Sequence, residues 1–361
     1  MPDIWIRTDG NEKIATGHLM RCLSIARACA DQQKNVCFLV ADPQSETLLQ
    51  ERFAYPSEFK IQCLHSDYQD MEKELPALER IVHYAHSSSE HILSQKSPWF
   101  LVDSYYVTAF YLEALKSWGA VAYLDDLASF PYPVDCIINY DIPENKKPDC
   151  YNAAARCLLG NAYTPLRSQF QNVPYAVRQD IEHVLISTGG IDPFQVAEKL
   201  LDRVIEKSHL SNSVLSVPAD YKYHIITSRL NSCYESLTAL CSKYPNIHIH
   251  ENVQDMAGLM SLCDLAVSAG GTTLYELCAV GVPAISFAMT DNQTSAIETF
   301  ASSDIIPCAG DVRMDIDGVL DAICHFLAEK QMPYSKRLEL SDRMRSFVDG
   351  YGAARIAEVL G

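Results

Sequence analysis

The chain lacks the features that direct a protein to a membrane or out of the cell. No apolar run approaches the roughly 20 residues that a bilayer-spanning helix needs. The first residues, Met1 to Trp5, contain no basic patch followed by an apolar core, so we expect no signal peptide. These absences predict a cytoplasmic protein without membrane insertion.

Positive charge is also scarce. The chain has 29 Lys and Arg residues against 46 Asp and Glu residues, which gives a formal net charge of −17. A field of that sign repels nucleic acids and anionic lipids, so we expect neither as a partner. An anionic substrate must then be held by backbone N–H groups and a few well-placed cations.

Several chemical motifs are missing as well. The thirteen cysteines are scattered and contain no Cys-x-x-Cys pair, so neither a zinc site nor a disulfide framework is indicated, and a reducing compartment fits them best. There is no Walker loop, no Gly-x-Ser-x-Gly elbow and no complete dinucleotide fingerprint. We therefore expect no metal and no cofactor.

What the chain does contain is an alternation of strand-like and helix-like segments over 361 residues, 48% of them hydrophobic. This length suits two domains, and the alternation predicts parallel sheets flanked by helices. The polar stretch 165–178 holds two prolines, and the pattern restarts after it. We predict two Rossmann-like α/β domains facing across a cleft, residues 1–168 and 169–361, with the last helices free to pack back on the first domain.

The most informative stretch is 268–276. It follows an apolar strand-like run and opens a helix-like one, with two glycines at the junction. Free N–H groups at a helix start favour an anion such as a diphosphate, and Glu276, one turn later, is placed to accept hydrogen bonds from a ribose diol. The alternative is an ordinary tight turn before a packed helix. The residues assigned to the substrate on this ground are Ser268, Gly270, Gly271, Thr272, Thr273 and Glu276.

A second informative region lies near the start of the chain. Gly17 sits where a strand–loop–helix junction needs backbone freedom, and His18 follows in the first helical turn. The positive end of a helix favours the neutral ring that a general base requires. Arg21 is placed to meet a phosphate or to clamp Asp9, and we assign all four residues to the site. The alternative is a capping histidine beside a surface ion pair.

Polar side chains also follow two apolar strands. Asp103 and Tyr105 come at the end of one strand, where open α/β sheets place ligand groups. Asp103 would orient His18 or polarise a water, and Tyr105 would donate a hydrogen bond to a leaving oxygen. Asp125 and Asp126 end the next strand as metal ligands or as loop caps, and their adjacent positions weigh against a metal because neighbours on a strand point to opposite sides.

Two further loops complete the candidate site. Gly190 lies in a Gly-Gly turn after a strand, which is either a second turn near the phosphates or a plain βα loop. Asn292 and Gln293 follow the strand 284–288, and their amides suit sugar hydroxyls or an acetamido group. Residues 67–97 are interpreted as loop that contributes to the pocket walls.

Together these segments resemble a known family, the UDP-2,4-diacetamido-2,4,6-trideoxy-β-L-altropyranose hydrolases of pseudaminic acid biosynthesis. The resemblance spans about residues 4 to 300, and its first-half motif is fairly specific. The second-half motif is shared with two-domain glycosyltransferases such as the N-acetylglucosaminyl transferase of peptidoglycan synthesis. The motifs that carry it are Arg7-Thr8-Asp9, Gly17 to Cys22, Asp103-Ser104-Tyr105, Asp125-Asp126, Gly189 to Asp192, Ser268 to Glu276 and Asn292-Gln293.

The resemblance implies a GT-B fold, with uridine diphosphate in the second domain and catalytic groups in the first. It implies that His18 acts as base or water-positioning group, with Tyr105 as its partner, in a metal-free hydrolysis at the anomeric carbon. It also implies that the Gly270 to Thr273 turn holds the diphosphate, Glu276 the ribose, and Asn292 and Gln293 the sugar. Ala15 and Ser104 depart from the family, which usually has Gly and often His there.

Three functions follow as hypotheses. The leading one is an inverting nucleotide-sugar hydrolase whose substrate is a UDP-sugar. The second is a glycosyltransferase that uses the same nucleotide turn but passes the sugar to an alcohol acceptor. The third is a non-catalytic nucleotide-sugar sensor or partner subunit. Such a protein would be expected to lose the segment at His18 while keeping Glu276, whereas this chain has both.

Overall fold

A computed structural model of the chain describes all residues except 12, 13, 15, 56, 88–96, 209–220 and 329–330. Ala15, one of the two departures from the family pattern, therefore lies outside the described residues. The described part forms two compact units. Residues 1–168 and 350–361 make the first unit, and residues 169–349 make the second.

The first unit is built on a parallel sheet. Its strands are β1 (Ile4–Thr8), β2 (Val36–Val40), β3 (Lys60–Cys63), β4 (Trp99–Asp103), β5 (Ala120–Leu124), β6 (Cys136–Asn139) and β7 (Arg156–Leu159). They lie in the order β3-β2-β1-β4-β5-β6-β7. Its helices are α1 (Gly17–Asp31), α2 (Pro43–Gln50), α3 (Leu75–Ser87), α4 (Ala109–Lys116) and α12 (Gly352–Val359).

Helices cover both faces of this sheet, which is why its central strands are mostly apolar, with the polar residues Arg7, Thr8 and Asp103 at their carboxyl ends. One core packs α1 and α12 against the sheet and includes Leu23 and Ile356. The other core lies under α3 and α4 and includes Leu78 and Val82. The interpretation of residues 67–97 as loop is wrong for α3, whose buried residues at helical spacing are visible in the sequence as an apolar stripe.

The second unit has the same architecture. Its strands are β8 (His183–Ser187), β9 (Lys222–Ile226), β10 (Ile247–His250), β11 (Leu265–Ala269), β12 (Ala284–Ala288) and β13 (Cys308–Asp311), in the order β10-β9-β8-β11-β12-β13. Its helices are α5 (Val196–Ser208), α6 (Tyr234–Lys243), α7 (Met256–Ser261), α8 (Thr272–Val280), α9 (Asp291–Ser302), α10 (Ile316–Leu327) and α11 (Tyr334–Phe347).

Each sheet contains a point where the strand order reverses. In the first unit the chain moves outward from β1 to β3 and then returns to β4 on the other side of β1. In the second unit the same reversal falls between β8 and β11. Open α/β sheets bind ligands beyond the carboxyl ends of their strands at such a point. The sequence motif at His18 follows β1. The motif at residues 268–276 begins in β11 and continues into α8.

Candidate active site

His18 is fixed by a buried carboxylate at the reversal point of the first sheet. It is the second residue of α1 and is 6% exposed. Its Nδ1 lies 2.5 Å from Oδ1 of Asp103, the last residue of β4, which pairs in register with Thr8 of β1. The structure therefore brings together two of the predicted catalytic residues, although they are far apart in the sequence.

The charge state of Asp103 determines the tautomer of His18. Burial disfavours the ionised carboxyl, but the charge of Arg21 outweighs burial and holds the pKa of Asp103 well below its usual range. An ionised carboxylate only accepts hydrogen bonds, so the contact with Asp103 at 2.5 Å places the hydrogen on Nδ1 of His18. The longer contact of Nδ1 with Nη2 of Arg21, at 3.2 Å, is then not a hydrogen bond. Nε2 is then left with its lone pair, and it makes no hydrogen bond to any described residue. This is the arrangement of a general base.

Arg21 is fully occupied by protein groups. Its Nε and Nη2 donate to Asp103 at 2.7 and 2.6 Å, and its Nη1 and Nη2 donate to Asp126 at 2.9 Å each. Nη1 also donates to the hydroxyl of Tyr140 at 2.9 Å, so all five guanidinium hydrogens are used. Arg21 makes no bond to Asp9 in the described structure and has no donor left for a phosphate. Its position fits a clamp that ties three strand ends to α1.

Tyr105 lies beside His18. Their rings meet edge to face with centroids 4.5 Å apart, and Tyr105 is 42% exposed. Burial and the neighbouring charge of Asp126, to which its hydroxyl is hydrogen-bonded, raise the pKa of Tyr105 to about 12. The phenol is therefore protonated near neutral pH, as a hydrogen-bond donor must be.

Asp9 belongs to a different, buried ion cluster. Its carboxylate bonds Arg7 and accepts the backbone N–H of Ala41 at 2.7 Å. Arg7 in turn donates to both oxygens of Glu74, at 2.7 and 2.9 Å. Asp9 is 3% exposed, and both of its oxygens are already bonded. The structure gives it a role in holding β1 to its neighbours, so direct contact with a substrate is not supported.

The two adjacent acids after β5 have separate roles. Asp125 is buried and accepts hydrogen bonds from the backbone of Leu127 and Ala128 and from the hydroxyls of Tyr132 and Tyr151. It is a loop cap, the second of the two alternatives that the sequence left open. Asp126 faces Arg21 instead. Within the described residues, no group of three or more His, Cys, Asp or Glu side chains is arranged to hold a metal.

The sequence did not single out Tyr140. It follows β6 and bonds Arg21, so it belongs to the same row of strand ends as Asp103 and Asp126. Tyr140 comes two residues after the apolar run Cys136 to Ile138, so a rule that examines the first two residues after every apolar run would have found it. Ser104, the second departure from the family, accepts the N–H of Tyr106 on its hydroxyl and forms part of the loop.

In the second unit the turn between β11 and α8 is open at its backbone. The N–H groups of Gly271, Thr272 and Thr273 donate to no other described residue, and no side chain caps the helix. A Cβ on Gly271 would meet nothing within 4 Å. Gly271 and Thr272 are exposed. Unpaired N–H groups at the exposed start of a helix form a site for an anion.

Gly270 serves packing rather than ligand access. A Cβ on it would lie 2.6 Å from Cδ1 of Ile297 and 2.8 Å from Cβ of Gln293, both in α9. The absence of a side chain at Gly270 thus allows α9 to pack against the turn. Gln293 also accepts the N–H of Met289 on its side-chain oxygen at 2.8 Å.

The remaining predicted residues of this unit lie in or near the same edge. Ser268 is buried in β11 and donates to the carbonyl of Ala269, while Glu276 lies in α8 and is 9% exposed. Gly190 is an exposed residue of the turn after β8, and β8 is the neighbour of β11 in the sheet. Asn292 lies in α9, and its side chain is outside the described part of the structure.

Comparison with known proteins supports the architecture. No protein-family model matches the chain. MurG of Acinetobacter baumannii superposes with a TM-score of 0.66 at 16% identity, over 99% of this chain and 98% of that one. Arabidopsis thaliana UGT89C1 in complex with UDP superposes with a TM-score of 0.62 at 14% identity, over the whole of both chains.

The chain has a GT-B fold. Each unit is a Rossmann-like half of it. The two sequence motifs lie at the strand-order reversal of these halves, one after β1 in the first unit and the other at the end of β11, next to β8, in the second. At such low identities the structural likeness establishes the fold alone.

The chain also matches part of a curated relative. The chain is 26% identical over 228 residues to the spore coat polysaccharide biosynthesis protein SpsG of Bacillus subtilis. The matched segment covers 63% of this GT-B chain and 64% of SpsG. The match therefore spans less than two thirds of that relative. Among the described residues, no helix is both long and apolar enough to cross a bilayer.

Proposed function

We propose that this protein is an enzyme that acts on a sugar nucleotide in polysaccharide biosynthesis, and specifically that it hydrolyses UDP-2,4-diacetamido-2,4,6-trideoxy-β-L-altropyranose with inversion. The observation that carries the proposal is the pair formed by His18 and Asp103, with Nε2 of His18 free to accept a proton. The open start of α8 and the relative in polysaccharide biosynthesis support it.

In the proposed reaction, Nε2 of His18 takes a proton from water as the water oxygen attacks the anomeric carbon. The bond between that carbon and the diphosphate oxygen breaks, and UDP leaves with the bonding electron pair. Asp103 and Asp126 carry two negative charges against the single positive charge of Arg21, so the cluster stabilises the imidazolium that forms. The N–H groups at Thr272 and Thr273 stabilise the departing diphosphate.

The test compares wild-type protein with His18→Asn and with the matched control His83→Asn, an exposed histidine on α3. We expect pure wild-type protein to release UDP without an acceptor and His18→Asn to lose turnover by at least about 100-fold. Proton NMR of the product would report inversion. Normal turnover by His18→Asn would remove the base from the mechanism.

The nucleotide half of the proposal has its own test. If Glu276 holds the ribose, wild-type protein should bind UDP more tightly than 2′-deoxy-UDP, and Glu276→Gln should lose most of that preference. Isothermal titration of both nucleotides against both proteins measures the coupling. Equal preference in the variant and the wild type would place the ribose elsewhere.

The second candidate function is transfer of the sugar to an alcohol acceptor. It is favoured by the structural neighbours, since UGT89C1 carries UDP and others are named as glycosyltransferases. The same UDP-release assay discriminates the two, because a transferase needs an added acceptor for turnover. Binding of a UDP-sugar without any product over long incubation would instead favour the sensor hypothesis.

A further inference from the structure

A cavity of about 480 Å³ lies in the first unit, at the amino ends of three strands and so at the opposite edge of the sheet from Asp103. Trp5, Cys37 and Lys60 line it, and they are register partners on neighbouring strands β1, β2 and β3. The cavity thus crosses the sheet face beside the edge strand. It has no part in the chemistry proposed above.

Its floor and one wall are apolar. Trp5 and Cys37 form the floor and are each 2% exposed, while Ile81 and Tyr84 of α3 form part of the wall. The indole Nε1 of Trp5 is buried and donates to no described residue. A flat apolar group that entered the cavity would be taken out of water against these side chains, which is favourable in proportion to the apolar area removed.

Two cations border the same space. Lys60 comes from β3 and Arg80 from α3, and neither forms an ion pair within the described part of the chain. The only protein bond that Arg80 makes there runs from its Nε to the carbonyl of Pro76, at 3.2 Å. No Asp or Glu is among the lining residues that the structure describes. The described lining thus offers two cations without a paired acid, which favours an anion even in a chain of net charge −17.

We propose that this cavity is a binding site for a small amphiphilic anion, one with a flat apolar body and a single acidic group. The apolar body lies on Trp5 and Cys37 beneath α3. The acidic group accepts hydrogen bonds from Lys60 and Arg80, and charge-assisted bonds of this kind are the stronger ones. The site is separate from the nucleotide turn of the second unit.

The test uses two fluorescent probes that differ in one charged group, 8-anilinonaphthalene-1-sulfonate and N-phenyl-1-naphthylamine, titrated in saturating UDP. We expect wild-type protein to bind the sulfonate at one site and more tightly than the uncharged probe. The double variant Lys60→Gln/Arg80→Gln should weaken sulfonate binding by about fivefold or more and leave the uncharged probe unchanged. Ala85→Phe, which fills the cavity from α3, should block both probes.

The matched control is Arg52→Gln/Lys146→Gln, which removes two exposed cations of the same unit outside the cavity. It should bind the sulfonate as the wild type does. Circular dichroism and thermal unfolding check that each variant is folded. Equal affinity for the two probes, or a Lys60→Gln/Arg80→Gln protein that binds the sulfonate like the control, would overturn the proposal.

Discussion

At the scale of single residues, the site depends on which nitrogen of His18 carries a hydrogen. Asp103 sets this by accepting from Nδ1, and Arg21 keeps Asp103 ionised. Neither residue needs to touch a substrate for this effect. The contacts from Arg21 to Asp103 and from Asp103 to His18 therefore give the buried acid and Arg21 a positioning role in the proposed site.

We expect Asp103→Asn to lower kcat for UDP release by about a thousandfold with little change in KM, because an amide in place of the carboxylate favours the wrong tautomer of His18. Steady-state kinetics of the purified variant measure this. Asp149→Asn, an exposed acid of the same unit, is the control and should keep full activity. If the Asp103→Asn protein had a raised KM and an unchanged kcat, Asp103 would bind substrate instead.

At this scale the sequence selected His18 and Asp103 because strand ends carry ligand groups, and the structure brings the two side chains together. Their catalytic roles stay predictions. It could not predict the partners of Arg21. Asp9, Asp103 and Asp126 all follow parallel strands, and only the order of those strands in the sheet determines which acid is in reach. The same order leaves Asp9 to Arg7 and Ala41.

At the scale of elements, the junction of β11, α8 and α9 shows how a motif can combine two requirements. Gly270 is needed for close packing of α9, whereas Gly271 leaves space over exposed N–H groups. The sequence predicted the turn and the helix start from the pair of glycines. It could not separate their roles, because the contact with Ile297 depends on a helix more than twenty residues away.

We expect Gly270→Ala to destabilise the protein by about 1–3 kcal/mol, since α9 must move to admit the new methyl group. Thermal or urea unfolding measures this, and Ile297→Ala in the same chain should recover part of the loss. Gly17→Ala is the control, because a Cβ there meets nothing within 4 Å. Equal stability of Gly270→Ala and the wild type would mean that α9 is not packed as described.

A second element-level feature is a chain of histidines across β8, β9 and β10. Nδ1 of His183 lies 2.8 Å from Nε2 of His224, and Nδ1 of His224 lies 2.9 Å from Nε2 of His250. Lys222 only donates, and it lies 3.5 Å from Nε2 of His183. Each histidine ring therefore carries its hydrogen on Nδ1. The hydrogen bonds between the three histidines are kept only while all three rings are neutral.

The stability of the second unit should consequently fall in acid. Burial, and then neighbouring positive groups, lower the pKa of His183. The same causes lower the pKa of His224 to about 4. Burial and His248 lower the pKa of His250. Because these values are lower in the folded state, unfolding takes up protons. The stabilising effect is complete above about pH 6.5 and is lost as the pH falls toward 4.

Urea unfolding at a series of pH values measures this effect. His224→Gln should reduce the loss of stability between pH 6.5 and 4, whereas His325→Gln, an exposed histidine on α10, should keep the wild-type loss. If His224→Gln and the wild type lose stability in parallel, the chain of histidines does not control the acid response.

At the scale of the whole molecule, the alternation of strands and helices was enough to predict two Rossmann-like halves. The central strands can be recognised in the sequence as apolar runs, because both faces of a parallel sheet are buried. The strands at the edges of the two sheets were harder to predict from the sequence. β3 alternates between exposed and half-buried residues, and β13 contains no fully buried residue, so neither has the apolar run on which the prediction relies.

We expect Ile356→Ala in α12 to destabilise the first unit by about 2–5 kcal/mol, because Ile356 is fully buried against α1 and the sheet. Limited proteolysis should cut the first unit sooner while the second unit keeps its resistance. Glu358→Ala, on the exposed side of α12, is the control. Unchanged proteolysis of the first unit in Ile356→Ala would mean that α12 contributes little to its core.

The position of α12 has a consequence for biosynthesis. Ala353, Ile356, Ala357 and Leu360 complete a core whose other members are made before residue 160. On the ribosome, the second unit has all of its residues available for folding before the first unit does. The amino-terminal lobe therefore cannot bury this apolar surface completely until Leu360 has been translated, and we expect it to bind chaperones during that interval.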